Sequence, residues 1–193
     1  QLYITTEEWL RFKACVTNPH CRLLWVLMAE CGLRIREALN IQYKDVDFDH
    51  YCVYVKTLKQ KKAKPKDRVE PSNDTLDELR EMNLKPNMLC FPFSYGEAFA
   101  EFKRTCRAAK LDKKYSPHTL RHYFGNIVAK QLGGNAIRVM EKMRHSDIKT
   151  TMKYVHTSPE VSRAEADVRH AEAKRLEGEF MKILYIGIEM KFM

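Results

Sequence analysis

Residues 116–156 contain polar side chains whose types and spacing could cleave a phosphodiester bond. His118 and Arg121 stand three positions apart, just after Pro117, and proline favours the first turn of a helix. On such a helix both side chains project from one face, a turn apart, so both can reach the same phosphate. The pair therefore predicts an anion site on this helix.

A second histidine and a tyrosine follow within the same stretch. His145 comes after a second predicted helix, and Tyr154 stands nine residues later. Asp147 is a residue type that caps helix N-termini, which places Tyr154 on a third predicted helix. Opening a phosphodiester without metal requires a nucleophile, charge compensation at phosphorus and a proton for the leaving oxygen. Tyrosine, arginine and histidine side chains are of the types that this chemistry needs.

The order of these residues matches a known pattern. The motif P-H-x-L-R-H at 117–122, followed by x-x-H-S-x-I-x-T-T-x-x-Y at 143–154, resembles the tyrosine recombinases, also called phage-integrase-like enzymes. The earlier G-L-R-I-R-E at 32–37 resembles the first arginine motif of that family. The resemblance covers roughly residues 5 to 157. It implies a catalytic domain without the amino-terminal arm or core-binding domain that usually completes the DNA clamp.

The resemblance also implies a role for each site residue. Tyr154 attacks phosphorus to give a 3′-phosphotyrosine, which a 5′ hydroxyl from another duplex can reverse. Arg34 and Arg121 bind the non-bridging oxygens, because a guanidinium stays charged and its fork matches phosphate. His145 donates a hydrogen bond to the phosphorane, and His118 accepts the tyrosine proton or binds phosphate. The reaction needs no ATP, so we expect no cofactor and no metal.

Two positions near the site refine this interpretation. Glu37 is predicted to be a structural partner that orients Arg34 or holds a backbone turn. Arg144 stands where the family usually has glycine, a residue that permits a positive φ or a close backbone approach. Contact of Arg144 with DNA phosphate is an alternative use of this side chain.

A small antiparallel β-hairpin is predicted between residues 43 and 71. Tyr51, Val53 and Val55 alternate with less apolar neighbours, and a return segment ends in R-V-E-P. The period of two is typical of a strand with one buried face.

The turn of this hairpin is strongly basic, with seven lysines and arginines at 56–68. In the family a hairpin lysine protonates the leaving oxygen, and the spacing matches Lys59 best, with Lys56 as second choice. For the other lysines, a solvated surface or nonspecific phosphate contact is the expectation.

The remaining elements are predicted mainly as helices. We expect a helix at 6–17 with a Thr5–Glu8 capping box, a buried helix at 21–31 ended by Gly32, a short helix at 35–40, and helices at 72–82 and 94–110. The helix at 94–110 is expected to turn Phe99, Phe102 and Cys106 inward, and the segment before it is expected to be buried at Met88, Leu89, Cys90, Phe91 and Phe93. Gly133-Gly134 is expected to break the chain before the apolar residues Ile137, Val139, Met140 and Met143. The fold class is thus α+β, mainly α-helical, with a small antiparallel sheet or hairpin.

We expect the catalytic domain at 1–157. A charged helix and an apolar tail at 158–193 would fold back or pack on a neighbouring subunit.

Composition limits the classes of partner. The 193 residues are 45% hydrophobic, enough for one buried core, and the net charge of +9 favours double-stranded DNA as partner. No run of about eighteen apolar residues occurs, so we expect no membrane contact and a cytoplasmic, nucleoid-associated protein. Six cysteines without a C-x-x-C pair predict reduced thiols, not a zinc site or disulfides. The first residue is Gln1 and not Met, so we expect an excised or processed fragment.

The leading interpretation is a site-specific DNA recombinase or integrase that acts as a homo-oligomer, a tetramer on two duplexes. A type IB topoisomerase-like enzyme shares the chemistry and is the enzymatic alternative. A non-catalytic DNA-binding or oligomerisation fragment is the alternative from another class.

Overall fold

The computed structural model describes residues 3–57, 66–145 and 147–155. Among these residues the chain divides into two compact units, of which the first ends at Phe124 and the second begins at Gly125. Lys59 and the segment 158–193, with its expected helix and apolar tail, lie outside the described residues.

Helices dominate the described chain, and the α+β, mainly α-helical class is confirmed. The elements in order are α1 Thr6–Cys15, α2 Pro19–Cys31, α3 Ile35–Leu39, a 3₁₀ turn Tyr43–Asp45, β1 Val46–Asp47, β2 Cys52–Val55, β3 Asp67–Val69, α4 Asn73–Glu81, α5 Tyr95–Ala108, α6 Pro117–Gln131, α7 Ala136–Lys142 and α8 Ile148–Val155. None of the helices in the described ranges has the length and apolar character needed to cross a membrane.

Helix α2 forms the centre of the first unit's core. Its residues are apolar nearly all round, as the sequence predicts for a buried helix, and Trp25 is fully buried. The Trp25 ring meets Phe102 of α5 edge-on at a centroid distance of 5.3 Å. Phe102 in turn lies 4.8 Å from the Phe12 ring of α1. These aromatic contacts join the three helices.

Helix α1 begins with the predicted capping box. The Glu8 backbone N–H donates to Thr5 Oγ1 at 3.2 Å, and the Thr5 N–H donates to Glu8 Oε2 at 2.9 Å. The helix ends at Cys15, two residues before the expected end, because Val16 is already in an extended conformation.

The predicted hairpin is confirmed as part of a three-stranded antiparallel sheet of order β1-β2-β3. Val53 in the central strand pairs with Val46 on one side and Val69 on the other. The placement of Tyr51 in the strand is wrong. Tyr51 has a φ of 53° and is 58% exposed, because it lies in the turn that leads from β1 into β2.

Two other local expectations are wrong. Met88 and Leu89 are 48% and 39% exposed, because this segment lies at the surface, where Met88 accepts a backbone hydrogen bond from Tyr43. The buried part is limited to Cys90 and Phe91. Phe99 is only half-buried and stacks on Tyr95.

Helix α5 ends in a left-handed residue that is not glycine. Lys110 has a φ of 53°, its N–H donates to Arg107 O at 3.1 Å, and the N–H of Leu111 donates to Cys106 O at 2.9 Å. This pair of bonds is a Schellman motif, which normally places glycine at the left-handed position because a side chain there is strained.

Replacing Lys110 by glycine should therefore stabilise the protein. We expect Lys110→Gly to raise the free energy of unfolding by about 1 kcal/mol, because the left-handed strain is removed. Arg107→Gly is the matched control, an exposed basic residue in the last turn of the same helix, and should lower the free energy by about 1 kcal/mol. Urea denaturation measures both. Loss of stability in Lys110→Gly would contradict the strain.

Candidate active site

The first predicted site residue, Arg34, lies in the turn between α2 and α3. Gly32 ends α2 with a φ of 60°, as predicted, and Arg34 is the N-cap of α3. Glu37 is the partner that the sequence predicts. Its Oε2 accepts from the Arg34 backbone N–H at 3.0 Å, and its Oε1 accepts from Arg34 Nη1 at 2.7 Å. The Glu37 side chain is 1% exposed and that of Arg34 is 25% exposed, so the buried carboxylate orients a partly accessible guanidinium.

Arg121 of α6 binds the same turn. Its side chain is almost fully buried, and Nη1 donates to the Gly32 carbonyl. A Cβ at position 32 would lie 2.8 Å from Phe124 Cε1, closer than side chains approach one another. The Phe124 ring thus requires a glycine at position 32, and the guanidinium binds the backbone carbonyl of the same residue.

His118 lies one turn before Arg121 on α6 and is exposed. Its ring meets His122 edge-on, with centroids 4.8 Å apart. Pro117 opens the helix, as predicted, and the Ser116 N–H donates to Thr119 Oγ1 at 3.1 Å. The two predicted phosphate ligands on α6 therefore differ in burial: the imidazole is at the surface and the guanidinium is inside.

Tyr115, two residues before the start of α6, has a structural role. Tyr115 donates its hydroxyl to Glu8 at 3.1 Å and lies within 3.1 Å of the Tyr3 carbonyl. Lys103 Nζ binds the carbonyls of Lys113 and Tyr115, so this lysine stabilises the loop. Burial and the hydrogen bond to Glu8 raise the pKa of Tyr115 to about 12. A phenol held neutral in this way is a poor nucleophile.

In the second unit, the end of α7 fixes the backbone of His145. Arg144 has a φ of 53°, so it adopts the left-handed conformation that glycine would allow. Its N–H donates to Glu141 O at 2.9 Å, and the His145 N–H donates to Met140 O at 3.0 Å. The arginine thus keeps the Schellman geometry in spite of the strain of a side chain.

Tyr154 lies beside this histidine on α8. Asp147 caps the helix as predicted, because its Oδ1 accepts from the Lys149 N–H at 2.9 Å. The rings of His145 and Tyr154 are nearly parallel, with an interplanar angle of 22° and a centroid distance of 6.2 Å. His145 Nδ1 lies 3.0 Å from Thr151 Oγ1, and Tyr154 is only 3% exposed.

Gly125 is a site residue that the sequence interpretation missed. A Cβ at this position would lie 2.5 Å from Cε1 and 2.8 Å from Cζ of Tyr154, so the phenol ring lies directly on the backbone of α6. The sequence does contain one indication, a glycine inside a predicted helix. Glycine is less favourable than alanine there by roughly 1 kcal/mol, so its presence indicates that something packs closely against the helix backbone.

Two further features of the described residues concern metal ligands and cysteines. Within the described ranges, no group of three His, Cys, Asp or Glu residues is arranged to hold a metal ion. Burial raises the pKa of Cys21 and Cys106 to about 11 and that of Cys90 to about 12, which makes these thiols unreactive.

The basic hairpin is described only at its base. Lys56 is exposed just after β2, and Lys66 Nζ forms an ion pair with the buried Asp45. Lys59, the preferred proton donor, is outside the described residues. In sum, Arg34 and Arg121 lie at one turn of the first unit, His118 lies beside Arg121, and His145 and Tyr154 lie together in the second unit.

This fold occurs in solved recombinases and integrases. A crystal structure of XerA recombinase superposes with a TM-score of 0.70 at 21% identity, covering 88% of this chain and 64% of that chain. The catalytic domain of bacteriophage HP1 integrase gives a TM-score of 0.67 at 26% identity, covering 86% of this chain and 93% of that chain. The chain therefore has the mainly helical fold of these recombinase and integrase structures.

The family model described as "Phage integrase family" matches residues 5–160, and the chain belongs to this family. The tyrosine recombinase XerA of Saccharolobus solfataricus is 28% identical over 138 residues, which cover 70% of this chain and 45% of the relative. The tyrosine recombinase XerD of Pseudomonas putida is 30% identical over 169 residues, covering 78% and 52%. This chain thus spans about half the length of these curated relatives.

Removal of the Glu37 carboxylate tests the anchoring of Arg34. We expect Glu37→Ala to lower the free energy of unfolding by about 2 kcal/mol, because a helix cap and a charge-assisted bond are lost together. Asp77→Ala is the control, since Asp77 and Arg80 have the same three-residue spacing but are 64% and 54% exposed. Exposed pairs contribute little. Equal effects of the two variants in urea denaturation would contradict a special role for Glu37.

Addition of one methyl group tests the contact between Gly125 and Tyr154. We expect Gly125→Ala to lower the free energy of unfolding by about 2 kcal/mol, because overpacking outweighs the higher helix propensity of alanine. Gly96→Ala in α5 is the control, since its Cβ would meet only Ser94 Oγ at 3.9 Å. Calorimetry should show opposite signs for the two variants. A stabilised Gly125→Ala protein would mean that the ring does not require the glycine.

Proposed function

We propose that this chain is the catalytic part of a site-specific DNA recombinase or integrase, which cleaves and rejoins strands through a 3′-phosphotyrosine. Membership of the phage integrase family supports this class of reaction. The observation that carries the proposal is the position of the Tyr154 ring beside the His145 ring, with ring centroids 6.2 Å apart. The end of α7 fixes the backbone of this histidine.

In this mechanism the Tyr154 oxygen attacks phosphorus and the 5′ oxygen of the DNA strand departs. The new bond is a phosphotyrosine ester, so the energy of the phosphodiester is retained and a 5′ hydroxyl can reverse the step. His118, exposed on α6, accepts the phenol proton or binds the phosphate. His145 donates a hydrogen bond to an oxygen of the phosphorane.

Arg34 and Arg121 supply the positive charge. The Glu37 carboxylate holds Arg34 Nη1, and the Gly32 carbonyl accepts from Arg121 Nη1. A guanidinium has five N–H donors, so one group can fix the turn while others bind phosphate oxygens. Because both hydrogen bonds are made to other groups of the protein, the two guanidinium groups are oriented before the substrate binds.

A hairpin lysine is the proposed proton donor to the leaving oxygen. Lys59 is the first candidate and Lys56 the second, on the sequence spacing alone. Lys66 is the weaker choice, since it forms an ion pair with Asp45.

Double-stranded DNA is the proposed substrate, bound by a tetramer of this chain at the nucleoid. The net charge of +9 supports a polyanionic partner. Among proteins of similar fold, XerH is a site-specific recombinase bound to its difH substrate, with a TM-score of 0.67 at 19% identity. A lambda integrase dimer bound to a COC′ core site gives a TM-score of 0.63 at 18% identity.

A nicked suicide substrate tests the nucleophile, because loss of a short fragment after cleavage traps the covalent complex. We expect the wild-type protein to form a DNA adduct that resists denaturing electrophoresis. Tyr154→Phe should lower adduct formation by at least about a thousandfold, since the attacking oxygen is absent. Tyr95→Phe is the matched control, an exposed tyrosine that should react normally.

Other outcomes of this assay favour other functions. DNA binding without an adduct in the wild-type protein would favour a non-catalytic binding module. Adduct formation together with relaxation of supercoils by the monomer would favour a topoisomerase-like enzyme. An adduct formed by Tyr154→Phe would show that another residue is the nucleophile.

A further inference from the structure

The two adjacent threonines of α8 have different environments. Thr151 is fully buried and its Oγ1 lies 3.0 Å from His145 Nδ1, whereas Thr150 is exposed. Thr151 and Tyr154 stand three apart, so they share one face of the helix. One buried hydroxyl therefore connects the histidine to the helix face that carries the phenol.

A hydrogen bond at Nδ1 determines what the other ring nitrogen can do. In neutral imidazole one nitrogen carries a proton and the other accepts. If Thr151 donates to Nδ1, the proton of His145 must be on Nε2, and the ring can donate from that atom. If instead Nδ1–H donates to Thr151, Nε2 is an acceptor and would repel a phosphate oxygen.

We propose that Thr151 is a positioning residue that donates its hydroxyl to Nδ1 and holds neutral His145 with its proton on Nε2. This inference rests on the proposed function, in which His145 donates to an oxygen of the phosphorane. Phosphorane oxygens are acceptors only, so the productive state of the neutral ring is the one with Nε2–H. Burial strengthens the effect, because no water competes for the threonine hydroxyl.

The same hydroxyl also fixes the orientation of the ring. An imidazole rotates about its bond to Cβ, and the Nδ1 contact selects the rotation at which the ring lies nearly parallel to Tyr154. Loss of the hydroxyl should therefore affect both the tautomer and the ring orientation. It should not affect the backbone of His145, which the Met140 carbonyl holds independently.

Nitrogen-15 NMR of the full chain tests the tautomer without any reaction. At a pH where the ring is neutral, we expect the wild-type His145 to show a protonated Nε2 and an accepting Nδ1. His145→Gln identifies the signals by their loss. Thr151→Val, which removes the hydroxyl and keeps the branched shape, should give a mixture of tautomers. Thr151→Ser should restore the wild-type pattern.

Activity on the suicide substrate gives the second readout. We expect Thr151→Val to slow adduct formation by about tenfold, the effect of one buried hydrogen bond, and Thr151→Ser to recover most of the rate. Thr150→Val is the matched control, the neighbouring exposed threonine, and should leave both tautomer and rate unchanged.

The two proposals fail in different ways. A wild-type His145 with its proton on Nδ1, or an unchanged tautomer in Thr151→Val, would overturn the role of Thr151 even if the adduct forms. The wild-type tautomer decides this even if Thr151→Val does not fold. Absence of an adduct with the expected tautomers would overturn the recombinase function and leave the Thr151 hydrogen bond supported.

Discussion

The hydrogen bond from the buried Arg121 guanidinium to the Gly32 carbonyl is the interaction on which the candidate site residues of the first unit depend. A buried cation is very unfavourable without hydrogen bonds, and the carboxyl end of a helix offers carbonyl groups at the negative end of its dipole. Helix α2 ends at this point. The Arg121 guanidinium therefore stabilises the end of α2, and the carbonyl at the end of α2 stabilises the buried guanidinium. Arg34 follows two residues later, so its position depends on the same contact.

The second unit uses a similar principle with different groups. A helix end in a left-handed conformation holds the backbone of His145, and a short polar side chain on α8 holds its ring. The phenol of Tyr154 lies against a glycine, where only the backbone is beneath the ring. In each unit a candidate site side chain is oriented by contacts with groups that have no part in the proposed chemistry.

Much of this was predictable because the signals are local. The capping box at Thr5, the left-handed Gly32 and the cap at Asp147 each depend on residues within a few positions, and the structure confirms them. Gly125 could not be predicted, because its partner is far along the chain and a helical glycine does not indicate which ring covers it. The exposure of Met88 follows from tertiary packing, which an apolar run does not specify.

Gly32 and Gly125 have no side-chain functional group. Gly32 nevertheless determines the path of the turn before Arg34, and Gly125 determines where the Tyr154 ring can lie. Any survey that ranks positions by acid, base or nucleophilic character will overlook both of them. At both positions the absence of a Cβ leaves the space that an aromatic ring occupies. A natural substitution at either glycine should therefore be examined as carefully as a substitution of Tyr154.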